Sequence, residues 1–142
     1  EQPLEARPLV ERLTRRVFRD QKFRQHVRAA YAGTCAMKGL SVVNGGGALE
    51  VEAAHIRPAG GGEKGPDSIR NGIALCRTVH WLFDHGYVSL EDDGAVLIAR
   101  KGVPDKVIRL FHEDRRIRFP SDPANRPHPV FLRYHREKRF KG

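Results

Sequence analysis

Three polar side chains stand in order along the middle of the chain, His55, Asn71 and His80, with Asp84 one helical turn beyond His80. An imidazole titrates near about 6.5 when unperturbed, so a histidine can take a proton from water around neutral pH. Hydrolysis of a phosphodiester needs such a group. It also needs a cation to hold the phosphate and stabilise the departing oxygen. A His and an Asp four residues apart lie on one helical face and can chelate one divalent ion, which is the spacing of His80 and Asp84. His85 is five residues from His80 and points elsewhere. Asn71 falls at a loop-to-strand turn, where an amide side chain can pin the backbone and so fix the ring of His55.

These residues need a scaffold. Leu49, Val51 and Ala53 alternate with Glu50, Glu52 and Ala54, the pattern of a half-buried strand. His55 continues the apolar parity, and Glu50 and Glu52 fall on the opposite, solvated face. Residues 59–68 read as a flexible loop, Gly72 to Leu75 as a second strand, and Arg77 to His85 as a helix stopped by Gly86. A helix covering the apolar strand face turns His55 toward His80 across the seam. Trp81 and Phe83 read as core, and the glycines at 45–47 and 60–62 as loop tips. Tyr87 to Leu90 and Ala95 to Ala99 flank Glu91-Asp92-Asp93-Gly94, a hairpin signal. Upstream, Leu9, Leu13 and Val17 predict one helix. Asp20 is expected to cap a second, with Phe23, Val27 and Tyr31 on one face and Gly33 as its stop. Pro104 opens a short helix through Leu110 and Phe111. A proline-rich stretch over 120–129 precedes a basic helix from Val130 to Phe140. His26, His112, His128 and His135 lack partner spacing and read as surface residues.

The run Ala53-Ala54-His55-Ile56-Arg57-Pro58, then Asn71-Gly72-Ile73-Ala74-Leu75-Cys76, then His80-Trp81-Leu82-Phe83-Asp84 resembles the HNH endonucleases over about residues 31–99, in its restriction-endonuclease-like subtype. The resemblance implies an α+β fold: a ββα-metal core with flanking helices and an additional β-hairpin. It implies His55 as general base, Asn71 as a structural or metal-binding residue, and His80 as a metal ligand, with Asp84 completing the pair. It also implies one divalent ion, Mg²⁺ foremost with Mn²⁺, Ni²⁺ or Zn²⁺ as alternatives, and products with 5′-phosphate and 3′-hydroxyl ends. Two departures stand out. Many relatives place a carboxylate or His immediately before the general base, where this chain has Ala54. Many also carry two Cys-x-x-Cys pairs, whereas here Cys35 is followed at the paired position by Lys38 and Cys76 by Val79. With two thiols of four, no structural zinc is expected.

Charge suggests the partner. The 142 residues carry a net charge of +9. Residues 1–40 hold net +5, residues 41–100 net −3, and residues 101–142 net +7. A mildly acidic centre between basic arms fits a metal site working on a phosphate backbone, here double-stranded DNA. Arg57 and Arg77 near the site, and Arg133, Arg136, Lys138, Arg139 and Lys141 in the last helix, are the expected phosphate contacts. The length suits one domain, with a basic helical arm over 1–30, the nuclease core over 31–99 and a basic helical extension over 100–142. No apolar run reaches the ~20 residues needed to cross a bilayer. Two cysteines make no disulfide framework, and no signal peptide is visible, so a cytoplasmic setting is expected. The start at Glu1 without a Met reads as a trimmed boundary. Two other readings stay open: an HNH fold that binds nucleic acid without cutting, and a nuclease for RNA or structured DNA. A homodimer is compatible with the sequence but not readable from it.

Overall fold

A computed structural model of the protein describes residues 7–39 and 50–142. The strand onset at Leu49, the glycine tip at 45–47 and residues 1–6 of the N-terminal linker lie outside the described residues.

The first helix, α1 (Arg7–Ala30), runs unbroken for 24 residues, where two helices were expected. Asp20 does not cap. Its carboxylate pairs with Arg24 at 3.0 Å, one turn on. From Leu9 to Ala30 there is no Gly or Pro, so nothing opposes continued propagation of the helix. Its stop is the expected one: Gly33 takes a positive φ, and its N–H bonds the carbonyl of Arg28 at 2.8 Å. Phe23, Val27 and Tyr31 are buried on one face as predicted, whereas Leu9, Leu13, Val17 and Phe18 on the outer half stay exposed.

Strands β1 (Val51–His55) and β2 (Gly72–Cys76) form an antiparallel pair, with His55 opposite Gly72 and Val51 opposite Cys76. Helix α2 (Arg77–Asp84) follows directly and completes a ββα unit. The pair is sandwiched. At the His55 end, α1 lies against one face. A Cβ on Gly72 would sit 2.3 Å from the Val27 side chain, so only glycine lets α1 approach there. The other face, carrying Glu52 and the fully buried Ala54, meets α2. The helix that precedes the strands, and not only the one that follows, covers them: His55 packs on Phe23 of α1 and still borders one cleft with His80 and Asp84 of α2.

A second hairpin, β3 (Val88–Leu90) with β4 (Val96–Ile98), turns at Gly94 with φ +89°. A short α3 (Asp105–Ile108) is followed by α4 (Pro129–Lys138), which docks on β3 and α2. The fold is α+β. Trp81 is a correction to the expected core: it is more than half exposed, stacking on His85 and Tyr87, while Phe83 is fully buried. Cys35 and Cys76 are free and buried side by side. The thiol of Cys35 hydrogen-bonds the sulphur of Cys76, which pulls Cys76 down to about 6 and, with burial, pushes Cys35 up. Among the described residues no helix is long and apolar enough to cross a membrane.

His135, expected at the surface, is instead the pin that holds α4. It is 2% exposed and stacks on Phe83 with ring centroids 3.8 Å apart. Its Nε2–H donates to the Phe83 carbonyl at 2.8 Å, and its Nδ1 accepts from the Ser89 hydroxyl at 2.7 Å. Both ring nitrogens are satisfied in the neutral form, and burial pushes the imidazole down to about 4. The unfolded chain takes up this proton near about 6.5, the folded one only near 4. The contribution of His135 is therefore complete above that unfolded value and fades as pH falls between the two, by roughly 1–3 kcal/mol. Urea unfolding at pH 7 and pH 5 should show a loss of stability in the native protein. His135→Gln should be less stable at pH 7 and should lose less on acidification. Parallel pH dependences in the two proteins would contradict the assignment.

Candidate active site

His55 ends β1. Its ring lies flat on Phe23 of α1, with centroids 4.0 Å apart and planes 13° off parallel. Its Nε2 is 2.9 Å from Asp67 Oδ1. A carboxylate only accepts, so Nε2 carries the hydrogen and Nδ1 is left with a free lone pair. Nδ1 has no partner among the described residues.

Asn71 is fully buried at the entry to β2. Its Oδ1 accepts from the Arg57 N–H at 2.8 Å, and its Nδ2 donates to the carbonyls of Arg57 and Pro66, each at 3.0 Å. This is the expected pinning role, and it holds both ends of the 59–68 loop. Asn71 does not line the cleft that His55 and His80 share, and both ends of its amide are occupied. It is not carried forward as a metal ligand.

His80 sits on α2 between two acids. Nε2 is 3.1 Å from Asp84 Oδ2, and Nδ1 is 3.1 Å from Glu52 Oε1. An imidazole can donate to both only when protonated. Asp84 foremost, with Glu52, accordingly raises the affinity of His80 for its proton above the ordinary histidine value, against the opposing effect of burial. Its ion pairs contribute to stability fully below the ordinary value, and the contribution is lost as pH rises through the raised one. Glu52 corrects the expectation of a solvated acid: it lies on the strand face that meets α2. Glu50 also has a job, since its Oε1 accepts from the N–H of Arg77 at the start of α2.

His55, His80 and Asp84 line one cleft of about 410 Å³, together with Ala53, Pro58 and Arg139. The donors present suit a hard divalent ion. One imidazole nitrogen and one carboxylate oxygen share a helical face at 3.1 Å, and Glu52 can hold the far nitrogen of His80 in the manner of carboxylates behind metal-binding histidines. Among the described residues no three His, Cys, Asp or Glu side chains gather as a complete metal site. A bound ion would therefore keep positions for water and phosphate oxygens, as Mg²⁺ commonly does.

The expected phosphate contacts fall into two groups. Arg77, Arg133 and Lys138 are exposed, with Arg77 Nε 3.8 Å from Glu52. Lys141 lies over the Tyr87 ring at 4.1 Å. Three others are tied inside the chain. Arg57 lies over the Tyr134 ring at 4.4 Å and donates to the Glu63 carbonyl. Arg136 donates to the Leu90 carbonyl at 2.9 Å and to Asp92 at 2.8 Å. Arg139 pairs with Glu63, which also accepts from Tyr134. The last helix thus turns Arg136 and Arg139 onto the domain instead of presenting every cation outward.

Three contributors to the site went unread in the sequence: Phe23, Glu52 and Asp67. Strand parity does signal Glu52, because it shares a face with the buried Ala54. No spacing signals Asp67, which reaches His55 only through the folded loop.

Residues 35–91 match the model of a family described as HNH endonuclease. Among solved structures, a modification-dependent TagI restriction endonuclease is similar to 85% of this chain at 26% sequence identity, with a TM-score of 0.68. The chain spans 38% of the length of that structure's chain. No curated protein matches it. The matched residues contain the whole ββα unit and its two histidines, and the similar structure extends over the helices that flank them.

Proposed function

We propose that the chain is a metal-dependent DNA endonuclease domain in which His55 is the general base and His80 with Asp84 holds one divalent ion. One observation carries this reading: His55, with Nδ1 free, opens on the same cleft as the His80–Asp84 pair. His55 Nδ1 takes a proton from a water molecule. The water oxygen bonds to phosphorus, the bond from phosphorus to the 3′ oxygen breaks, and that oxygen collects a proton from solvent. The products are a 5′-phosphate and a 3′-hydroxyl. A bound divalent ion supplies charge neutralisation at the scissile phosphate and the departing oxygen. The restriction endonuclease among the similar structures supports DNA as the polymer.

The outer half of α1 offers a path for the duplex. Phe23, under His55, shares a helical face with Arg19, Arg16 and Arg12, spaced four, three and four residues apart. At 1.5 Å per residue these lie about 6, 10 and 16 Å along the axis from Phe23. All three are exposed and make no ion pair among the described residues. They form a cationic rail leading away from the general base.

Plasmid nicking with Mg²⁺ or Mn²⁺ tests the activity, with single-stranded DNA and RNA as competing substrates. His55→Ala should slow cleavage by about 10²–10⁴ while leaving Mn²⁺ and DNA affinity in place. Cleavage within threefold of the native rate would remove His55 as the base.

Calorimetric titration with Mn²⁺ should show binding lost in His80→Ala and weakened less in Asp84→Ala. Native affinity in Asp84→Ala would move the second ligand elsewhere.

Replacing Arg12, Arg16 and Arg19 together by Gln removes charge and keeps helix propensity. Each lost phosphate contact should reduce the slope of log affinity against log salt by about 0.9, alike for any duplex sequence. An unchanged slope would make this face merely solvated.

A further inference from the structure

We infer that Asp67 is the positioning residue of the general base: its carboxylate fixes the ring and tautomer of His55 and stabilises the imidazolium that forms when His55 takes its proton. The inference rests on the assignment of His55 as the base. The contact is direct, 2.9 Å from Nε2 to Oδ1, between side chains that are 20% and 35% exposed. Water reaches this pair less than it reaches an ordinary surface ion pair, so the carboxylate acts at stronger effect.

The surroundings hold Asp67 in place from both sides. The residue before it, Pro66, gives its carbonyl to Asn71 Nδ2 at 3.0 Å. The residue after it, Ser68, accepts the Asn71 N–H on its carbonyl at 2.8 Å and the Arg70 N–H on its hydroxyl at 3.2 Å. Asp67 is thus the middle of a clamped tripeptide, not the tip of a free loop. Phe23 stacks on the His55 ring, so the ring is held by its face as well as by one nitrogen. The remaining charged and titratable groups around the ring belong to the shared cleft: His80, Asp84 and His85 of α2, and Arg139 beyond α4. Among the described residues none of these bonds His55, so Asp67 alone decides which ring nitrogen carries the hydrogen. With the hydrogen on Nε2, Nδ1 is the acceptor that water needs. An acid serving as a metal ligand would line the cleft with His80 and Asp84. Asp67 does not.

A double-mutant cycle tests this, using single-turnover cleavage of duplex DNA with Mn²⁺ by the native protein, Asp67→Ala, Asp67→Asn, His55→Ala and the double variant His55→Ala/Asp67→Ala. Asp67→Ala should lose about 10–100-fold in the cleavage step, the usual cost of removing a carboxylate behind a working histidine, with KM for DNA and Mn²⁺ affinity unchanged. Asp67→Asn keeps the shape and an acceptor but not the charge, so it should fall between. In the His55→Ala background, removing Asp67 should cost nothing further, because its effect passes through the imidazole. Native cleavage by Asp67→Ala, or an equal loss with and without His55, overturns the inference while leaving His55 as the base. Native cleavage by His55→Ala overturns the base assignment and this inference with it.

Discussion

The site depends on one buried side chain that performs no chemistry. Asn71 makes three hydrogen bonds to the backbone at Arg57 and Pro66. A buried amide left without partners costs about 1–3 kcal/mol, so the loop's return path and the amide's satisfaction select each other. Because Arg57 follows two residues after His55 and Pro66 precedes Asp67, one side chain sets the distance between the imidazole of His55 and the carboxylate of Asp67. The flexible composition of the glycine-rich stretch between them does not matter to the site. Its ends are tied at Asn71, and Glu63 within it is tied to Arg139 and Tyr134.

Each histidine of the cleft is held from behind by an acid, but to different effect. Asp67 touches a ring whose other nitrogen stays free. His80 has an acid on each nitrogen, and its proton is held more tightly as a result. The first arrangement suits proton uptake from water. The second suits exchange of a proton for a cation, since a metal-bound imidazole must be deprotonated and metal affinity then depends on pH. The difference comes from which face of the hairpin each residue occupies: His55 against the apolar Phe23 of α1, Glu52 against α2.

The basic arms do more than add positive charge. Arg136 binds the carbonyl of Leu90 and the acidic turn at Asp92, and Arg139 crosses to the loop that carries Glu63. These cations brace α4 against the ββα unit, alongside the buried His135 under Phe83. Gly86 permits the approach. A Cβ there would fall 2.0 Å from the carbonyl of Arg139. Among the described residues the arginines at 12, 16 and 19 in the outer half of α1 meet no such acids and remain available. Net charge by segment cannot separate these cases. Pairing depends on which acids the fold brings within reach, and Coulomb attraction falls off over a few ångströms of water.

From the sequence by itself came the ββα unit, its two histidines, the pinning role of Asn71, the glycine stops after α1 and α2, and the second hairpin. These are local: strand alternation, helical spacing and turn chemistry act over a few residues, and so does the His80–Asp84 pairing across one turn. Tertiary structure alone decided which face of β1 meets which helix, and that choice made Glu52 a partner of His80 and placed Phe23 under His55. It also turned His135, which reads as a surface residue, into the buried pin of α4, and it brought Asp67 to His55 across 12 positions of chain. The physical reason is common to all of these. A buried polar group takes whatever partner the packed fold supplies, and packing couples residues far apart in sequence that no periodicity links.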